Sequence, residues 1–425
     1  MRLELATFEV KQVEFASRTA FSNGLLTIDK GELISLLSDD DAIYGVEIEL
    51  MRPGENARIT HVLDSIEPQV KVSGSSSCFP GLLGPARTCG DGRTNRLKGV
   101  AVVECSGFPQ PTSGVLVVRE GFIDMSGPAA PHCANSDTFN VAVILKPVEG
   151  ITNEEWDASV RMAGLKAANY LARASLDVEP DSVEVFELTN ADPSLPRVVY
   201  INQIQEQGLL VHTLIYGQHA DNLVPTLMHP NEMLDGALVS GNYKGGLRVA
   251  TCIHTNNPVV RDLYQLHGRE LNFLGVILSR GHHDDHRSKE RSAQYAAKLA
   301  KLLGADGAIV TIEGTGNANI DFMLTVKACE ELGIMTVALL HEFGGPDGTD
   351  VPLVDSVSEA DAIVSVGGVD RLVSMPKVDR VIGGATARLI SGSVVDAQGP
   401  FEITPLELHC GFWQLGISGF ASKEY

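Results

Sequence analysis

Hydrophobic and polar positions change their spacing part-way along this chain. Early on the apolar runs are short and of strand length, at Leu25–Ile28, Ala42–Leu50, Ile59–Val62, Gly99–Glu104 and Gly114–Val118. Phe139–Leu145 is apolar enough to be a strand buried on both faces. Connections rich in Gly, Ser and Asp separate these runs, such as Ser73–Ser77 and Gly90–Asn95. The second could turn backbone N–H groups and Arg93 toward an anion, with Asn95 beside them. Its plainer reading is a tight turn.

Pro147–Gly150 breaks the strand pattern, and Thr152-Asn153-Glu154-Glu155 has the Thr-x-x-Glu form of a helix capping box. A helix running to about Leu171 would place Trp156, Val160, Ala163, Ala167 and Leu171 on one face. Strands are expected at Val183–Leu188, Arg197–Gln203 and Leu209–Tyr216. From Leu271 the pattern becomes regular. Strands at Leu271–Ser279, Ala308–Glu313, Met335–His341 and Ala362–Val366 alternate with helices at Ser288–Leu303 and Asp321–Leu332. Gly304 and Gly333 fall where a helix ends in the left-handed conformation. The expected fold class is α/β. A β-rich N-terminal domain (1–148) leads through an α/β cleft or linker domain (149–255) to a Rossmann-like parallel-sheet domain (256–425).

Composition narrows the function. Of 425 residues, 44% are hydrophobic and 20% charged, as in an ordinary soluble protein. A formal charge of -21 argues against nucleic acid and against an anionic membrane surface as partners. Seven widely spaced cysteines without a Cys-x-x-Cys pair suggest a reducing compartment. No stretch approaches the roughly 18 apolar residues of a membrane span, and acidic residues stand near the N-terminus where a signal peptide would be apolar. A cytoplasmic protein is expected.

The chemistry concentrates where the parallel strands end. The run from Leu271 ends in Ser279-Arg280-Gly281 and then His282-His283-Asp284-Asp285-His286. Neighbouring strands should deliver Glu313, His341 and Glu342 to the same carboxyl edge, where open α/β sheets bind ligands. Imidazoles and carboxylates in that number suit a divalent metal, with zinc favoured; three ligands would leave a position for water or substrate. The plainer reading is a hydrated loop, because consecutive side chains cannot all point one way. His212, His219 and His229 could add ligands from the opposite side of a cleft, whereas His61, His267 and His409 read as structural. Cys252 and His254 lie close in sequence, but without a third orienting group the pair is weak evidence for a thiolate nucleophile.

Several longer blocks carry a family likeness. They are Gly92-Arg93-Thr94-Asn95-x-Leu97-Lys98-Gly99, Gly164-Leu165-Lys166-Ala167-Ala168, Asp235-Gly236-Ala237-Leu238-Val239-Ser240-Gly241-Asn242, Asn256-Asn257-Pro258-Val259, His267-Gly268-x-Glu270-Leu271-Asn272-Phe273 and Lys289-Glu290-Arg291-Ser292. Over almost its whole length the chain resembles the glycine/sarcosine/betaine reductase component B proprotein. That resemblance implies a cytoplasmic α/β protein concerned with cutting a C–N bond next to a carboxylate. It also implies a thiol- or selenol-bearing companion reductase subunit and an oligomeric assembly. Family members cleave themselves before a cysteine that follows Ser-Gly-Asn, which leaves an N-terminal pyruvoyl group. Here the matching residue is Tyr243. Its phenol offers no heteroatom on Cβ for the acyl shift and elimination, and Cys252, which could in principle serve, lies nine residues from the matching position, so no pyruvoyl is expected.

The resulting expectation is an uncleaved enzyme that acts on a small amine or amide, with a metal in place of the pyruvoyl electrophile. His282, His283 and His286 are the metal-ligand candidates, with His212 and His229 in support. Glu313 or Glu342 would be the general acid/base and Tyr243 a hydrogen-bond donor in the old pyruvoyl pocket. Arg93, Asn95 and Arg280 would hold the substrate. The alternative is a non-catalytic subunit that positions substrate for its companion, and a third reading is a true reductase component B that uses Cys252.

Overall fold

The structure is a computed structural model. It describes residues 1–110, 120–189, 191–206, 213–241, 245–345, 347, 349–412 and 415. Tyr243, His212 and the 114–118 run lie outside the described residues.

The N-terminal half is built on two mixed sheets. One has four strands in the order Ser182–Glu187, Arg2–Glu9, Gly92–Lys98, Gln69–Ser73. The other runs Gly121–Asp124, Ala57–Ile66, Val100–Cys105, Phe139–Pro147, Ile43–Met51, and Arg380–Ile382 joins Ala57–Ile66 in parallel. The segment 92–95, read as a turn, is therefore a strand. Its polar side chains satisfy buried partners: the Thr94 hydroxyl donates to Asp235 at 2.6 Å and Arg96 Nε to the Thr7 hydroxyl at 2.9 Å.

Helix Asn153–Ala172 begins at the expected capping box, with Thr152 Oγ1 accepting from the Glu155 N–H and Glu155 returning the bond to the Thr152 N–H. The expected apolar face is buried in full, at Trp156, Val160, Ala163, Ala167 and Leu171. The Trp156 indole N–H reaches the Ser106 hydroxyl and the Gly107 carbonyl, both at 3.1 Å. A large aromatic can be buried there because its one donor is satisfied.

The regular region from Leu271 forms strands Asn272–Arg280, Gly307–Ile312, Met335–Glu342 and Ile363–Gly368, with helices His286–Leu302 and Asn317–Glu331 between them. Ala293, Ala296, Ala297 and Ala300 are buried at helical spacing, so small side chains let the first helix lie close on the sheet. Gly304 (φ +76°) and Gly333 (φ +71°) end the two helices in the left-handed region. The sheet takes a further parallel strand from the stretch expected to be the cleft domain. Arg197–Ile204 inserts between Asn272–Arg280 and Gly307–Ile312. Numbered along the chain, the five parallel strands lie in the order 2-1-3-4-5, and short Thr226–Met228 adds antiparallel on the outside. One face packs on the two helices. The other packs on helix Pro258–Leu266 and on Leu3 and Leu5 of the N-terminal sheet.

Candidate active site at the strand switch

In a 2-1-3-4-5 sheet the chain leaves its first and third strands in opposite directions, which opens a crevice beyond their carboxyl ends. Here those ends are Ile204-Gln205-Glu206 and Ile312-Glu313-Gly314. Glu313 directly follows the third strand and is 2% exposed. Its Oε2 accepts from the Thr213 hydroxyl at 2.6 Å and from the Gln205 N–H at 3.0 Å. Its Oε1 lies 3.3 Å from Nε2 of the fully buried His254 without the alignment of a hydrogen bond, and neither atom has a hydrogen-bond partner among the described residues.

Burial dominates the ionisation of both groups. It pushes the Glu313 carboxyl up to about 7, against two hydrogen bonds that pull it down. It takes the His254 imidazole down to about 3. Charged forms lose hydration in such a site, so the carboxyl keeps its proton and the imidazole refuses one. A carboxyl poised near neutrality can both give and take a proton.

More polar atoms are buried along this edge without a partner among the described residues: Asn202 Nδ2, Gln203 Oε1, Ser279 Oγ and His254 Nδ1. Each costs free energy when left dry, about 1–3 kcal/mol, and such orphans mark where a polar ligand would supply the missing bonds. The backbone is shaped to bring them close. At Gly314 (φ +81°) a Cβ would stand 1.7 Å from Gln205 Oε1, and at Gly281 one would stand 2.8 Å from Gln203 Nε2. Arg280 extends from the second strand, its Nη1 3.4 Å from Glu206.

The expected histidine cluster is only partly assembled. His282 (φ +62°) turns Nε2 onto the Thr315 carbonyl at 3.0 Å, and buried His341 sets Nε2 on the Thr315 hydroxyl at 2.9 Å. Both thus gather on the loop that carries Glu313. His283 is instead bound through Nδ1 to Asp321 at 2.7 Å, and Asp321 also holds Lys289. His286 stands in solvent on the first turn of its helix, 3.3 Å from Glu290. Asp285 is that helix's cap, accepting from the Ser288 N–H at 3.0 Å. His229 caps another short helix, its Nδ1 accepting from the Asn231 N–H at 3.2 Å, and burial takes it down to about 4. Among the described residues no three His, Cys, Asp or Glu side chains are grouped to hold a metal ion. The described histidines expected to hold a metal are not brought together: His282 is engaged by the Thr315 carbonyl, His283 by Asp321 and His286 by Glu290, and His229 caps a helix.

Other expected residues lie elsewhere. Arg93 and Asn95 are in the four-stranded sheet, and Asn95 Nδ2 bonds the Ser175 hydroxyl at 3.1 Å. Glu342 is half-buried at the end of the fourth parallel strand. Cys252 and His254 diverge on their short helix. The thiol faces the Ser65 hydroxyl at 3.2 Å and is pushed up to about 12 by burial, while the imidazole faces Glu313. His254, Thr213 and Gln205 are the site residues that sequence reasoning missed. Only the closeness of His254 to Cys252 in sequence drew any of them into view.

Comparison with known proteins decides the family. The model of the glycine/sarcosine/betaine reductase component B subunits matches residues 1–419. The chain belongs to this family. It is 43% identical over 374 residues to the sarcosine reductase complex component B subunit alpha of Peptoclostridium acidaminophilum, which covers 86% of each chain. It is 40% identical to the glycine reductase complex component B subunits alpha and beta of Acetoanaerobium sticklandii, over the full length of both. The betaine reductase complex component B subunit alpha of P. acidaminophilum is 36% identical, again over both full lengths. No solved structure matches. In this component B chain no helix of the described residues is long and apolar enough to cross a membrane.

Proposed function

We propose that this chain is a component B-type subunit of a reductase system. It binds a small nitrogen compound bearing a carboxylate or amide and takes part in cleaving its C–N bond. The observation that carries this reading is Glu313, a buried carboxyl at the strand switch among unpartnered polar atoms. A nitrogen leaving carbon must depart with a proton, and Glu313 is placed to supply it in a site without bulk water. Arg280 would take the substrate carboxylate, exchanging its contact with Glu206 for a charge-assisted pair. Relatives named as subunits of sarcosine, glycine and betaine reductase complexes support a substrate of this size and a companion subunit.

In this reading the chain works uncut. Tyr243 stands where the family's self-cleaving cysteine is expected, and its side chain cannot perform the elimination that yields a pyruvoyl group. A pyruvoyl at that position does not fit its tyrosine, and no step runs through the group. Intact-mass measurement should give one species near 45.5 kDa; two fragments split near Tyr243 would refute the uncut chain. Calorimetric titration with glycine, sarcosine and betaine tests the substrate class. Saturable binding of at least one, lost in Arg280→Ala, is expected; no binding of any would overturn it.

A further inference from the structure

We propose that His254 and Glu313 form a proton relay whose outer end is His254 Nδ1, so that the group facing a ligand is the imidazole while the charge change is stored on the carboxyl. The inference rests on Glu313 as the proton-carrying group of the crevice, and adds the residue through which its proton passes. Glu313 Oε2 is fully engaged by Thr213 and Gln205. Only Oε1 can exchange a proton, and its neighbour at 3.3 Å is His254 Nε2. His254 Nδ1, across the ring, is buried and has no partner among the described residues.

Oε1 and Nε2 are both without a hydrogen-bond partner among the described residues, and a small turn of either side chain from their 3.3 Å approach would join them in one of two states. In the acid state the Glu313 Oε1–H donates to Nε2, and the imidazole carries its hydrogen on Nδ1. In the base state the carboxylate accepts from Nε2–H, and Nδ1 offers a lone pair. Passing from one to the other breaks the Oε1–H bond, forms Nε2–H and breaks Nδ1–H. One proton leaves, to water or to a basic atom of the ligand, and the ring stays neutral throughout. An imidazole held between a carboxyl and an empty position can do this because its two nitrogens exchange roles.

Charged groups on the elements packed against the short helix Thr251–Thr255 are engaged by residues other than His254. Asp64 on strand Ala57–Ile66 takes both the N–H and the hydroxyl of Thr251. Asp235, which follows helix Pro230–Leu234, binds Lys71 and Thr94, and Glu232 within that helix accepts from Tyr216. Beside Glu313, Glu206 faces Arg280, and the Tyr200 phenol bonds Thr311 at 2.8 Å. None of these charges is placed to turn His254 into an imidazolium.

Nitrogen-15 NMR of the full chain with labelled histidine reads the tautomer directly, with His254→Gln used to assign the resonances. The expected result is an exchange of the Nδ1 and Nε2 shifts as pH is raised through neutrality, without passage through the doubly protonated form. In Glu313→Gln the exchange should vanish. A single tautomer from pH 5 to pH 9, an imidazolium at pH 6, or an exchange that survives Glu313→Gln would overturn the relay. The wild-type titration decides even if a variant misfolds. A fixed tautomer with intact glycine, sarcosine or betaine binding refutes the relay alone, whereas exchange without binding refutes only the proposed substrate class.

Discussion

Substituting one member of the His254–Glu313 pair at a time should give opposite pH dependences of stability. The Glu313 carboxyl is raised from 4.5 to about 7 in the folded protein. Between those values the folded state holds a proton that the unfolded state has lost, so stability falls as pH rises. The His254 imidazole is lowered from 6.5 to about 3. Between those values the unfolded state holds the extra proton, so stability rises with pH. Each slope is about 1.4 kcal/mol per pH unit. Where the windows overlap, from pH 4.5 to pH 6.5, the two cancel in the wild type. Glu313→Gln leaves the imidazole alone, and its stability relative to wild type should rise by about 3 kcal/mol across that overlap. His254→Gln leaves the carboxyl alone and should fall by a similar amount. The double variant should run parallel to wild type. Urea unfolding at half-unit pH steps measures this, and other titrating groups cancel in the differences. Parallel curves for all four proteins would mean that neither group is held away from its ordinary ionisation. Equal slopes of one sign in the two single variants would mean that the pair is not opposed in the way argued.

Two further substitutions probe the surroundings. Gly314→Ala drives a Cβ to 1.7 Å from Gln205 Oε1 at a φ of +81°; a loss of about 1–3 kcal/mol is expected, and unchanged stability by urea unfolding would contradict the close approach. Arg58 is fully buried, ties Asp124 at 2.7 Å, and donates to the Pro376 carbonyl at 2.8 Å and the Ala397 carbonyl at 2.5 Å. Arg58→Ala should cost about 3–5 kcal/mol by stranding Asp124 and should speed proteolysis within 376–399, whereas wild-type resistance there would show that other contacts hold the segment.

What could be read from the sequence was what neighbouring residues decide among themselves. The capping box at Thr152 and the apolar face from Trp156 to Leu171 sit within one helix, and each is found as expected. Gly90–Asn95 misled because polarity was taken as exposure; Thr94 is polar and buried, with Asp235, distant in sequence, as its acceptor. The His-rich loop misled for a related reason. Five polar side chains in a row share a sequence position but not a direction, so Asp285 caps a helix, His283 finds Asp321 and His286 meets solvent. His282 and His341 do converge on Thr315, because strand ends brought together by a parallel sheet must share an edge. His254 was beyond reach for a topological reason. It sits on a short helix packed against strand Ala57–Ile66 and helix Pro230–Leu234, and no local pattern in sequence places that helix beside the end of strand Gly307–Ile312. Glu313 itself was nominated from its place at a strand end. Its unusual ionisation was not, since burial of a carboxyl is a property of everything packed around it.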